Sequence, residues 1–228
     1  MMLQRMVLAF LLVVMLACSG SDDVAITQTG NPTNVSLVMQ VDTTRSALPK
    51  RLGATAVSQV TITAVRIVVR EVEFRSATAD SLTSEHESPY LLDLDLGGQS
   101  TVFDTLMVVN GSVYDSAEVD IGPLTIEDSA LYAANPSMRD ISVWVHGYLN
   151  GTPDSIFTFT SALWAEQALA FSTPLDLSQP GSTSVLFTIR AGSWFIDATG
   201  APLDPRVSDN RSLIEDNIES SFDVSEGR

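Results

Sequence analysis

From Asn34 onward, apolar and polar residues alternate with period two, the pattern of half-buried strands. Val35, Leu37, Met39 and Val41 share one face of a first predicted strand. A loop with Arg45, Pro49, Lys50 and Arg51 follows. The stretch Val57 to Arg75 alternates through Val60 and Ile62, then Val65, Ile67 and Val69. It is longer than an ordinary strand and shifts phase between Ala64 and Arg70, which predicts a bulge or bend there. Leu92, Leu94 and Leu96 alternate with Asp93 and Asp95, a strand with one wet face. Val102–Val109, Asn110-Gly111 and Val113–Ile121 read as a hairpin, because Asn-Gly suits a tight type I′ turn. Ile141–Leu149, Asn150-Gly151 and Ser155–Leu163 read as a second. Shorter strands are predicted at Ala168–Phe171, Pro174–Leu177 and Ser184–Arg190.

Two segments break the alternation. Ile126 to Met138 carries Glu127 and Asp128 ahead of Ser129-Ala130-Leu131-Tyr132-Ala133-Ala134, which suits the positive end of a short helix. Asn210 to Phe222 takes helical spacing, with Ile214, Ile218 and Phe222 four apart and Leu213 beside them. The predicted fold is mainly β: an antiparallel β-sandwich over 34–205, with a short C-terminal helix in 206–228.

The N-terminus follows a different rule. After Met1 to Arg5, an apolar run from Met6 to Ala17 ends at Cys18 and turns abruptly polar at Ser19-Gly20-Ser21-Asp22-Asp23. The run is too short to span a bilayer as a helix, which takes about 20 residues, and fits the apolar region of an export signal. Met15-Leu16-Ala17-Cys18 resembles the lipobox of bacterial lipoproteins, with Met15 where leucine is usual and the small Ala17 where it is required. The resemblance implies a signal peptide at 1–17, a Cys18 that is acylated (a palmitate-type modification), and a membrane-anchored protein with a flexible tether at 18–33. Ser19, rather than aspartate, implies the outer membrane of the bacterial envelope. An ordinary secretory signal with an incidental cysteine is the competing reading.

Composition narrows the chemistry. The 228 residues carry 28 Asp and Glu against 12 Lys and Arg, a net charge of −16. Such an acidic chain is a poor match for nucleic acid, which selects clustered basic charge. One cysteine excludes a disulfide framework and a cysteine-based zinc site. The chain has no Gly-x-Ser-x-Gly, no His-Glu-x-x-His and no glycine-rich phosphate loop. Of the two histidines, His86 falls in a predicted polar loop. His146 shares a strand face with Trp144 and Tyr148. That row is either a platform for a sugar or peptide, or a surface packed beneath the C-terminal helix, which is the reading favoured. Asp93 with Asp95, and Glu118 with Asp120, pair on single strand faces. Asp197, Asp204 and Asp209 cluster after Trp194 and are the metal candidates, for calcium, but lack the spacing of a calcium loop. No cofactor is expected.

Several pieces together resemble secreted bacterial lipoprotein domains with a transthyretin-like (prealbumin-like) β-sandwich. They are Val57–Val69, Leu91-Leu92-Asp93-Leu94, Val143–Gly151, Ser193-Trp194-Phe195, Leu203-Asp204-Pro205 and Ile214–Ile218. The resemblance implies fold and envelope location, and brings no catalytic residues with it. The function expected is a non-enzymatic binding or structural module. Its partners are the lipid bilayer, through the acyl anchor, and an envelope protein or glycan. The alternative is a surface or periplasmic hydrolase using acidic residues or a calcium-assisted site.

Overall fold

The computed structural model describes residues 33–43, 57–76, 84–86, 89–108, 113–177 and 182–227. Cys18, the Asn110-Gly111 turn and the tether up to residue 32 lie outside them, while Thr33, placed in the tether, opens the first strand. The chain is mainly β, with strands in two facing sheets and two short helices. The smaller sheet orders β11 (Phe222–Gly227), β10 (Ser182–Ile189), β1 (Thr33–Val41) and β5 (Thr101–Val108). The larger orders β8 (Ile156–Ser161), β7 (Val143–Leu149), β2 (Val60–Arg75), β6 (Val113–Ile121) and β9 (Ala165–Asp176). The short β3 (Ser84–His86) and β4 (Tyr90–Asp93) also pair with β2.

Period-two alternation does what it predicts. Val35, Leu37, Met39 and Val41 are buried, facing Val65, Ile67, Phe74, Val143 and Val145 within one core between the sheets. Trp194, Tyr114, Phe74, Phe159 and Phe187 are its largest fully buried side chains. β2 is the spine of the larger sheet. Residues 60–67 pair with β7 and 69–75 with β6, with register shifts at Ile62/Ala64 and Val69/Glu71. These shifts lie in and beside the stretch where the sequence changes phase. The second hairpin also forms: Asn150 and Gly151 adopt φ of 56° and 68°, the left-handed pair such a turn requires.

Several expectations are corrected. β5 and β6 do not form a hairpin, because β5 pairs with β1 in the smaller sheet and β6 with β2 and β9 in the larger. An Asn-Gly signal shows that the chain turns, not which sheet receives the next strand. The sandwich is not wholly antiparallel, since β1 and β10 run parallel over eight paired positions. His86 lies in β3, opposite Val72, rather than in a loop. The predicted strands at 168–171 and 174–177 are one strand, β9, whose register against β6 breaks between Tyr114 and Ser116. Pro174 is tolerated there because β9 is marginal in the larger sheet.

The C-terminal helical stripe is also shorter than predicted. Helix α2 spans Arg211–Glu219 and buries Ile214 and Ile218, while Leu213 stays 39% exposed. Phe222 opens β11, which extends the smaller sheet through Ile189↔Phe222 and Phe187↔Val224. Ser221 links the two, receiving the Trp194 indole N–H at 2.8 Å and donating to Ile218 O at 2.6 Å. Asn217 clips the preceding segment by donating to Trp194 O and Ile196 O. The other break in alternation holds α1 (Ser129–Ala134) between short 3-10 turns. It closes a second small core of Val68, Leu124 and Met138, against which Leu91, Leu131 and Trp144 pack.

Candidate binding surfaces on the larger sheet

Val143, Val145 and Leu149 point into the core, so Trp144, His146 and Tyr148 lie on the outer face of β7, each half-buried. They are not beneath α2, whose buried isoleucines enter the core on the opposite face. The α1 segment covers the Trp144 end instead. The Trp144 and His146 rings stack at 5.8 Å and 12°. The Arg66 guanidinium lies 5.7 Å over the Trp144 ring and pairs with Asp93. His146 Nδ1 lies 3.2 Å from Thr158 Oγ1. Cross-strand register thus assembles a row from β4 to β8: Asp93, Arg66, Trp144, His146 and Thr158. This flat aromatic and polar strip suits stacking against a sugar ring or planar peptide group.

A second surface lies on the outer face of β2, β6 and β9. Register sets Glu73 opposite Glu118, Glu71 opposite Asp120, and Asp120 opposite Glu166. Carboxylate oxygens of Glu118, Asp120 and Glu166 all lie within 4.8 Å of one another, the group among the described residues arranged to hold a metal ion. Glu118 is only 9% exposed. Arg75 Nη2 lies 2.8 Å from Glu118 Oε2 and 2.9 Å from Glu73 Oε2, yet that Glu118 oxygen receives no well-directed hydrogen bond. Asp120 Oδ1 is likewise buried without one. Burial pushes the Glu118 carboxyl above its ordinary range; Arg75 opposes this and Glu166 adds to it. Burial, then Glu166, raises Asp120 in the same way. Trp164, 65% exposed, closes one end of this surface over Gly122, with the Arg70 guanidinium 5.9 Å from its ring centre.

Asp197, Asp204 and Asp209 do not form such a group. Asp197 Oδ1 accepts the Thr199 hydroxyl and the N–H groups of Thr199 and Ala201, which close its own turn. These bonds, the Thr199 hydroxyl first, hold its carboxyl below the usual range. Asp204 is lowered by its pairing with Arg206, whose side chain donates to both oxygens. Among the described residues, Asp209 accepts only the Ser208 hydroxyl, at 3.4 Å. Glu166 had no signal in the sequence, because its place beside Asp120 depends on β9 pairing with β6.

Two cavities open among the described residues. One of about 260 Å³ is lined by Val60, Ile62, Leu96, Phe195, Ile196 and Pro202 with Thr43 and Thr61. The other, about 350 Å³, lies among Met39, Tyr90, Leu92, Phe103 and Asp93, the end of the row. Neither has Glu118, Asp120 or Glu166 in its wall. Comparison of the chain with family models, curated proteins and solved structures finds no match.

Proposed function

We propose that this protein is a lipid-anchored module of the bacterial envelope that binds or organises a partner and does no chemistry of its own. One observation carries this reading: Glu118, Asp120 and Glu166, and likewise Trp144, His146 and Tyr148, lie on open sheet faces and line neither cavity, the row reaching one of them only through Asp93. Enzymes that use carboxylates place them in the cleft that encloses the substrate, whereas an open face suits recognition. Cys18 anchors the domain to the outer membrane, and the Trp144–His146–Tyr148 row engages a glycan or an extended protein segment. The sandwich is of the transthyretin-like kind. Mass spectrometry of the mature N-terminus tests the anchor; a diacylglyceryl cysteine is expected, and a free amine on Ser19 or beyond overturns it. Crosslinking from envelope extracts tests the rest, with capture lost in a Trp144→Ala, Tyr148→Ala variant.

The alternative, a hydrolase, is favoured by the raised Glu118 and Asp120 carboxyls beside Glu166. Turnover in a hydrolase panel that disappears in Glu118→Gln would replace the binding reading.

A further inference from the structure

Strand β8, Ile156-Phe157-Thr158-Phe159-Thr160-Ser161, has the composition of an interior strand and the position of a marginal one. Among the described strands only β1, β8 and β10 lack charged residues, histidine and proline. β1 is hydrogen-bonded between β10 and β5, and β10 between β1 and β11. Among the described strands, β8 pairs with β7 alone. Other marginal strands carry the residues that protect an edge: Asp104 in β5, Glu166, Pro174 and Asp176 in β9, Asp223 and Glu226 in β11.

The register fixes which groups face outward. Leu149 N–H donates to Ser155 O at 2.9 Å, so by alternation Phe157 and Phe159 turn their backbone groups toward β7. Ile156, Thr158 and Thr160 turn theirs away. Thr160 O accordingly accepts from Arg211 Nη1 at 2.8 Å. The outward N–H and C=O of Ile156 and Thr158 have no partner among the described residues. Ile156 is also 61% exposed.

We propose that this margin pairs with β8 of a second copy, antiparallel about a two-fold axis at Thr158, which joins two larger sheets into one. The occupant follows from self-complementarity. With three outward residues, Thr158 meets its own copy and Ile156 meets Thr160 of the second copy, giving about four main-chain hydrogen bonds with Arg211 still on Thr160 O, and about six where Arg211 releases it. The strand carries no charge that would select a foreign partner or repel itself. The carboxylate cluster of β6 and β9 lies across the sheet from this strand, and Glu215 beside its end is paired with Arg211, so this strip is where two acidic copies can approach at physiological salt.

The test is disulfide trapping in the full chain, held in detergent micelles, where Cys18 is the only native cysteine. In the proposed pair the two Thr158 Cα atoms are about 5.5 Å apart, within disulfide range, and the two Ile156 roughly 15 Å apart. Thr158→Cys should give about tenfold more disulfide-linked dimer than Ile156→Cys or Thr160→Cys alone. Mixed Ile156→Cys and Thr160→Cys chains should crosslink to each other. Equal trapping at all three positions, or none, overturns the proposal, as does a crosslink from position 158 to a different protein. If Thr158→Cys fails to fold, the mixed pair decides, with dimer supporting the proposal and its absence overturning it.

Discussion

The two halves of the larger sheet's outer face use the same alternation and reach opposite electrostatic results. On the β7 half, Arg66 meets Asp93, Trp144 stacks on His146, and His146 meets Thr158. On the β6–β9 half, carboxylates stand opposite carboxylates, with Arg75 ion-paired to both Glu73 and Glu118. Like charges directly opposite destabilise an antiparallel pair. The second half therefore carries a local cost to folding that the first does not. The difference teaches that one alternation pattern can build either a self-neutralising face or a crowded one, depending on which strands pair.

The largest effect should come from removing what clamps the first half. Arg211 and Glu215 of α2 hold the end of β8 through Thr160 O and Ser161 Oγ. Truncation after Pro205 also removes buried Ile214, Ile218, Phe222 and Val224. At about 1.5–3 kcal/mol for each buried side chain, the loss is comparable to the whole stability of a domain. The truncated chain should show no cooperative melting transition; an unchanged one would make the C-terminal segment a free arm.

Glycine substitutions sharpen the contrast between the halves. A Cβ on Gly147 would lie 2.1 Å from Thr61 O and 2.8 Å from the Phe157 ring, both fixed by the sheet. Gly147→Ala should cost about 2–4 kcal/mol in denaturant unfolding. A Cβ on Gly122 would meet the Trp164 ring at 2.5 Å, but that ring is exposed and can swing aside. Gly122→Ala should cost under about 1 kcal/mol and shift Trp164 fluorescence. Equal costs at the two sites would show that Trp164 is locked in place.

The pH dependence of stability separates buried carboxylates that have partners from those that crowd. Burial works to raise Asp128, but the bond from Arg70 at 2.6 Å and the Thr125 N–H at 2.7 Å hold it below its ordinary value. Its stabilisation is present above the unfolded-state carboxyl range and lost as pH falls through the depressed folded value. Asp128→Ala should cost about 2–4 kcal/mol at neutral pH and less in acid. Glu118 and Asp120 have the opposite sign. Their contribution is full below the unfolded-state range and lost as pH rises through their raised folded values. Glu118→Gln should therefore gain on the wild type as pH rises from about 4 to 7, read by denaturant midpoints. A gap that narrows with pH would mean that Arg75 outweighs burial. The smallest effect is expected at Arg66→Ala, whose partners Asp93 and Trp144 lie on an exposed face. A loss within about 1 kcal/mol is expected, and a larger one would make the row a structural element.

Pattern and turn chemistry made much of this legible beforehand. The buried face of β1, the phase shifts of β2, the Asn150-Gly151 hairpin and the short helix at Ser129–Ala134 follow from period and turn type. The candidate surfaces were legible only in part. Trp144, His146 and Tyr148 declare a shared face by spacing, as do Glu118 and Asp120. Arg66, Asp93, Thr158 and Glu166 join them only through pairing, which spacing within one strand does not encode.

By itself, the sequence determined which residues turn inward, where the chain bends, and that an acidic chain with a single cysteine at position 18 has little material for metal-thiolate or nucleic-acid chemistry. These depend on side-chain type and local period, which short-range sterics and hydration impose. Tertiary structure alone decided that β5 and β6 part into different sheets, that β1 and β10 run parallel, and that Phe222 leaves a helical stripe to become a strand. Each is a choice among neighbours with the same alternation. The choice falls to whichever arrangement buries Trp194, Phe187 and Tyr114 together while leaving backbone groups paired, a condition on the whole core that no single segment carries.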